Sequence, residues 1–185
     1  MLIRRFFSLT VLLLLTLGVP AGAGQGNMRL DALFQALGTT ADEAYAESVE
    51  EHIWDFWLDH PDIEMIRIMR AGVSSLNGDD YTAALAAFDR AVARDPTYAE
   101  GWNKRANAHY MLGDYRAAVD DLRHALVLEP RHFGALAGLG LVYLALDQPQ
   151  PALRAFDAAL ALNPHLDRVR QQADSIRKRL TGVAL

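Results

Sequence analysis

The chain has 185 residues, 51% hydrophobic and 22% charged, a globular composition long enough to bury one sizeable core. Its formal charge of −5 argues against a nucleic-acid partner, which needs a basic face to displace counterions from phosphates. The absence of cysteine excludes disulfides, thiolate metal sites, cysteine nucleophiles and a lipidated cysteine.

Residues 1–23 read as a signal peptide. Arg4 and Arg5 precede an 11-residue, mostly apolar run, Leu9–Val19, and Ala21-Gly22-Ala23 supplies the small residues of a cleavage site. The run is short of the roughly 20 residues that a membrane-spanning helix needs. An uncleaved anchor is the alternative. The expected product is a secreted, periplasmic protein with no integral membrane segment, and loss of the two arginines takes its formal charge to −7.

Residues 24–62 read as an N-terminal helical cap, a degenerate leading repeat. Met28–Leu37 is a short amphipathic helix broken by Gly38, and Thr39/Thr40 with Glu43 resembles a capping box that opens a second helix reaching about Asp59. The end of that helix, His52-Ile-Trp-Asp-Phe-Trp-Leu58, wraps apolar residues over more than one face. Trp54 and Trp57 are therefore either cap core packed on the next repeat or an exposed aromatic patch that anchors a partner or a second copy.

Residues 63–164 carry a repeat. Pro96, Pro130 and Pro164 are each 34 residues apart, and each follows a similar phrase: YTAALAAFDRAVARDP, YRAAVDDLRHALVLEP and PQPALRAFDAALALNP. Ala84, Ala118 and Ala152 align, as do Phe88, Leu122 and Phe156, then Ala91, Ala125 and Ala159. Offsets of four and three put each set on one helical face. An earlier helix, roughly Tyr98–Leu112 in the middle copy, is closed by Gly113-Asp114; Gly78-Asp79-Asp80 and Asp147-Gln148-Pro149 make the same turn. Each unit is thus helix, tight turn, helix, over about 65–98, 99–132 and 133–166.

Gly134, Gly138 and Gly140 fall inside one predicted helix and cost it roughly 3 kcal/mol against alanines. Close approach of neighbouring helices, or a groove kept open for a ligand's backbone, would repay this. Residues 165–185 supply a C-terminal capping helix and tail, with Leu166, Val169, Ala173, Ile176 and Leu180 on one face and Arg168, Arg170, Arg177, Lys178 and Arg179 on the other.

Motifs for chemistry are missing. The six histidines (52, 60, 109, 124, 132 and 165) form no i, i+4 pair, and no H-E-x-x-H, G-x-S-x-G or P-loop occurs. The reading is of a chain that is not an enzyme and takes no metal or cofactor.

A 34-residue helix–turn–helix period with Trp102, Ala106, Ala118, Leu122 and Pro130 in the middle copy resembles the tetratricopeptide repeat. Leu139, Gly140, Tyr143, Ala152, Phe156 and Pro164 fit in the third copy, and Ala71, Gly72, Ala84, Phe88 and Pro96 in the first. The whole is similar to secreted alphaproteobacterial proteins of that family. Arg105 stands where Leu is usual and must snorkel or find a carboxylate; His109 stands where Tyr is usual and is expected to be buried and hydrogen-bonded. The resemblance implies an all-α solenoid of three repeats and a concave groove. The groove would be lined by Met69, Val73 and Leu76, by Asn103, Lys104, Asn107, Tyr110 and Met111, and by Ala137, Leu141 and Leu144. The basic clamp that some members use for a partner's C-terminal carboxylate is absent, since Met69, Val73, Gly134 and Gly138 hold its places. The expected function is a non-catalytic protein–protein interaction module of the periplasm or cell envelope that binds a peptide or helix in this apolar groove. The chain's own N-terminal segment is the alternative occupant, and a self-associating homo-oligomeric scaffold is the alternative function.

Overall fold

A computed structural model describes residues 28–182; the signal-peptide reading lies outside the described residues. Among the described residues all regular structure is helical: α1 (Met28–Thr39), α2 (Glu43–Leu58), α3 (Ile63–Asn77), α4 (Tyr81–Arg94), α5 (Ala99–Met111), α6 (Tyr115–Leu128), α7 (Phe133–Ala145), α8 (Pro149–Leu162) and α9 (Asp167–Thr181). None is long and apolar enough to cross a membrane.

Local signals explain the boundaries. Asp62, Asp80 and Asp114 each accept a hydrogen bond from a backbone N–H in the first turn of the following helix, an arrangement that contributes about 1 kcal/mol per cap. Asp42 does the same for α2 by accepting from Tyr45 N. The cap of α2 is therefore Asp42, with Thr40 Oγ1 accepting from the Asp42 N–H, and not the expected threonine capping box. The turns inside the three repeats place Asp79, Gly113 and Asp147, spaced by 34, in the left-handed region (φ 61°, 80° and 54°). Glycine takes that conformation freely, and Asp is among the residues that tolerate it.

Helices α3–α8 form three antiparallel pairs stacked in order, with α9 closing the end. The aligned apolar sets are the core: Ala84, Ala118, Ala152, Phe88, Leu122, Phe156, Ala91, Ala125 and Ala159 are all fully buried. Volumes are matched within each repeat. A Cβ on Gly72 would lie 2.5 Å from Phe88, and one on Gly140 would lie 2.3 Å from Phe156. The middle repeat has Ala106 at the same place, opposite the smaller Leu122. Gly138 would set a Cβ 3.3 Å from Leu122. Close approach of packed side chains is thus what repays the helical glycines.

Arg105 is resolved by carboxylates. Its Nε and Nη2 donate to both oxygens of buried Asp121 at 2.7 Å, Nη1 donates to Asp89 at 3.0 Å, and the guanidinium lies 4.8 Å over the Trp102 ring. Trp102 itself is half-buried, donates its indole N–H to Pro96 O and stacks on His124. His109 departs from the expectation. Its ring is partly exposed and sits 3.8 Å from Asp121 and 4.0 Å from Asp114, too far for hydrogen bonds, because Arg105 already engages both Asp121 oxygens.

The N-terminal hairpin also departs from the expected leading repeat. The buried face of α1–α2 (Leu30, Leu37, Ala46, Val49, Ile53, Trp57) clusters with Phe133 and Ala159, with Leu136, Ala137, Leu162, Leu166 and Val169 packed around it. No residue of α3 or α4 belongs to that cluster; the first repeat has its own, around Met65, Ile68 and Phe88. The hairpin therefore folds across the second and third repeats, leaving Ile63 69% exposed on α3.

Two pairs of substitutions test this packing by urea or thermal unfolding. Gly140→Ala is expected to cost about 1–3 kcal/mol by overpacking, and Phe156→Leu in the same chain should recover most of it by recreating the Ala106/Leu122 pairing. Arg105→Leu, which installs the usual family residue, should cost about 3 kcal/mol by stranding Asp121, and Asp121→Ala should restore part of it.

Candidate interaction groove

Successive first helices α3, α5 and α7 lie side by side and form the inner layer of the stack. The hairpin crosses the N-terminal ends of α5 and α7, where its aromatic residues are taken up. Trp57 stacks on His132 at 4.1 Å between centroids, and Trp54 meets His132 and Phe133 edge-on at 5.5 Å each. Gly134 makes room for Trp54: a Cβ there would lie 2.5 Å from the indole. Lys104 Nζ sits 5.7 Å from the Trp54 ring centroid. Trp54 and Trp57 are therefore an internal joint and not an exposed patch.

The joint is set by a buried polar pair. The Ala135 N–H donates to His132 Nδ1, which places the ring proton on Nε2, and Nε2–H donates to Glu100 at 2.9 Å. Asn103 Nδ2 also donates to Glu100 at 2.9 Å, and Lys104 Nζ stands 3.0 Å from its other oxygen. Burial opposes ionisation of Glu100, but the His132 hydrogen bond, aided by Lys104 and Asn103, outweighs it and holds the carboxyl below its ordinary range. Because the folded value is depressed, the stability that Glu100 contributes is present at neutral pH. It is lost as acidification protonates the group through that lowered value.

A second set of contacts repeats with the period. Asp95, Glu129 and Asn163 each precede the proline of their repeat. In each, one side-chain oxygen accepts from the backbone N–H two residues on (Thr97, Arg131 and His165), which fixes the inter-repeat turn. The second polar atom of Asp95 accepts from His60 Nε2 at 3.1 Å, and that of Asn163 donates to Glu50 at 2.8 Å. Both partners belong to the N-terminal region. Arg131, which pairs with Glu129 Oε1, reaches Asp31 on α1 at 2.6 Å.

The expected groove residues divide. Asn103, Lys104 and Ala137 are occupied, the first two by Glu100 and Lys104 and Ala137 by the hairpin side chains as well. Met69 is buried in the first repeat's core and does not line a groove; Val73 and Leu76 pack against that core. Tyr110 and Leu144 are half-buried against the second-repeat and C-terminal cores. Asn107 is half-buried, while Met111 and Leu141 are 47% and 42% exposed. Glu50, Glu100, Glu129, His132, Phe133 and Asn163 hold the hairpin and were not singled out from the sequence. The 34-residue spacing of Asp95, Glu129 and Asn163 was the available signal. Among the described residues no group of three or more His, Cys, Asp or Glu is placed to hold a metal ion.

The architecture is that of a superhelical helical-repeat protein whose inner surface is partly covered by its own N-terminal hairpin. A sequence model of the tetratricopeptide repeat matches residues 99–132. The chain is 32% identical over 154 residues to a TPR repeat-containing protein of Rhizobium etli, covering 83% of this chain and 76% of that one. The chain belongs to the tetratricopeptide repeat family. Among solved structures, the first TPR domain of Spaghetti (RPAP3) bound to the HSP90 peptide SRMEEVD superposes with a TM-score of 0.61 at 20% identity, over 63% of this chain and 93% of that one. MamA superposes with a TM-score of 0.60 at 21% identity, over 77% of this chain and 80% of that one. At these identities the likeness is one of fold.

Gly134→Ala tests the joint. The added methyl is expected to displace Trp54, so that limited proteolysis cuts within 40–62 at least several-fold faster while far-ultraviolet circular dichroism keeps the repeats' helicity. Equal cutting rates for both proteins would show that the hairpin does not depend on this contact.

Proposed function

We propose that this chain is a non-catalytic protein–protein interaction module of the periplasm or cell envelope. The part of the inner surface that the hairpin leaves open would receive a partner's peptide or helix. The observation that carries this reading is the exposure of Met111 and Leu141 on the inner helices α5 and α7, beside half-buried Asn107. A flexible thioether and an aliphatic side chain accept apolar side chains, and the Asn107 amide offers both donor and acceptor to an extended backbone. Membership of a family whose solved relatives include peptide complexes supports the reading. The periplasmic placement rests on the signal-peptide pattern of residues 1–23. Chaperone-tail recognition through a basic clamp is not part of the proposal, because the corresponding places hold Met69, Val73, Gly134 and Gly138.

A self-associating scaffold is the second reading. It is favoured by Ile63 and Ile66, exposed on the face of α3 that a leading repeat would have covered.

Photo-crosslinking residues placed singly at Met111 and Leu141, with Val127 on α6 as an exposed control, distinguish the readings in living cells. Adducts to one other envelope protein from both inner positions, and none from Val127, are the expected result. Adducts only between copies of this chain would replace the module with the scaffold. No adduct from either inner position would remove the groove from the reading.

A further inference from the structure

The three pre-proline side chains do the same work with one exception. The second polar atoms of Asp95 and Asn163 are engaged by His60 and Glu50, but Glu129 Oε2 has no hydrogen-bond partner, although Glu129 is only 3% exposed. Native proteins seldom leave a buried carboxylate oxygen unsatisfied without a ligand, water or ion to meet it. Glu129 lines a cavity of ≈ 400 Å³ between the end of α2, the α4–α5 turn and the end of α6. That volume is within the range of small-molecule sites and far larger than one water requires.

The walls define what the cavity suits. Phe56, Trp57 and Tyr98 supply aromatic surface and Leu30 and Leu128 aliphatic surface. Four lining residues carry carboxylates (Asp59, Asp95, Glu100 and Glu129), and none is Lys or Arg. Asp59 is exposed, Asp95 is met by His60, and Glu100 Oε1, which makes no hydrogen bond, has the Lys104 ammonium 3.0 Å away, so the buried acceptor with neither a hydrogen bond nor an ion pair is Glu129 Oε2. Trp57, also on the wall, has a buried indole N–H without a hydrogen-bond partner. An anion would meet carboxylates, and a neutral apolar molecule would leave Glu129 unsatisfied. An alkyl chain ending in a cation satisfies the carboxylate and draws on the electron-rich aromatic faces.

We propose that this cavity binds an organic cation, an alkylammonium or alkylguanidinium group, by pairing it with Glu129 Oε2 among Phe56, Trp57 and Tyr98. A free amine and a Lys or Arg side chain of a partner present the same group. The cavity lies apart from Met111 and Leu141, so the site is independent of the groove reading above.

The test titrates the full-length protein with n-butylammonium, with 1-butanol as the uncharged analogue and with the capped tripeptide Gly-Lys-Gly. Isothermal titration and amide NMR are the readouts. Saturable binding of n-butylammonium is expected, with shift changes confined to the Trp57 indole and the Thr97–Glu100 and Glu129 amides. Binding of 1-butanol should be about tenfold weaker or less, and Glu129→Gln should weaken n-butylammonium by about tenfold with an unchanged thermal midpoint. Gln keeps the oxygen that serves Arg131, and if the variant does not fold, the NMR map of the parent protein decides. Tighter binding of the tripeptide than of the amine assigns the cation to a partner's side chain, and the reverse assigns it to a free amine. No saturation by about 10 mM of either cation, equal affinity for 1-butanol, or shifts scattered over surface carboxylates would overturn the proposal.

Discussion

The position of the hairpin depends on one stacked contact, Trp57 on His132, and on the buried carboxylate that holds His132 in place. His132 serves three elements at once. Its Nδ1 caps the start of α7, its Nε2–H ties α7 to Glu100 on α5, and its ring face receives α2. Glu100 in turn accepts a hydrogen bond from Asn103 and is ion-paired with Lys104, both on its own helix. A buried polar group of this kind contributes when every partner is in place and is costly when one is missing. The inner surface is consequently organised for the hairpin first, and any other partner meets what remains.

The repeat was legible in the sequence because it is written three times. Small and large apolar residues recur at fixed offsets, and the structure buries all nine of the aligned core positions. The turn geometry was legible for the same reason, with Asp79, Gly113 and Asp147 occupying one conformation. Arg105 was legible as an anomaly, but its solution was not. Asp89 and Asp121 are each 16 residues away on other helices, and only the packing angle of those helices brings three side chains together.

The site was less legible because the hairpin occurs once and carries no period. Its apolar pattern shows that α1 and α2 are amphipathic but does not say against what. Trp54 and Trp57 looked crowded for a single face because they serve α7 and its cap, where Gly134 removes a Cβ and His132 offers a flat ring. The three side chains before the prolines are helix C-caps. Their second polar atoms form bonds across 35 and 113 residues, a relation that no local pattern expresses.

Those separations bear on the order in which the molecule can assemble. Repeat arrays usually grow from neighbour to neighbour, with short loops to close. Here Asp31 meets Arg131 and Glu50 meets Asn163, so α1 and α2, made before the three repeats, find their seat only after the third repeat has been made. Until then Trp54 and Trp57 lack the His132 and Phe133 side chains that cover them. During synthesis the hairpin waits for its seat longer than any repeat waits for its neighbour, and its docking reports that the third repeat is in place.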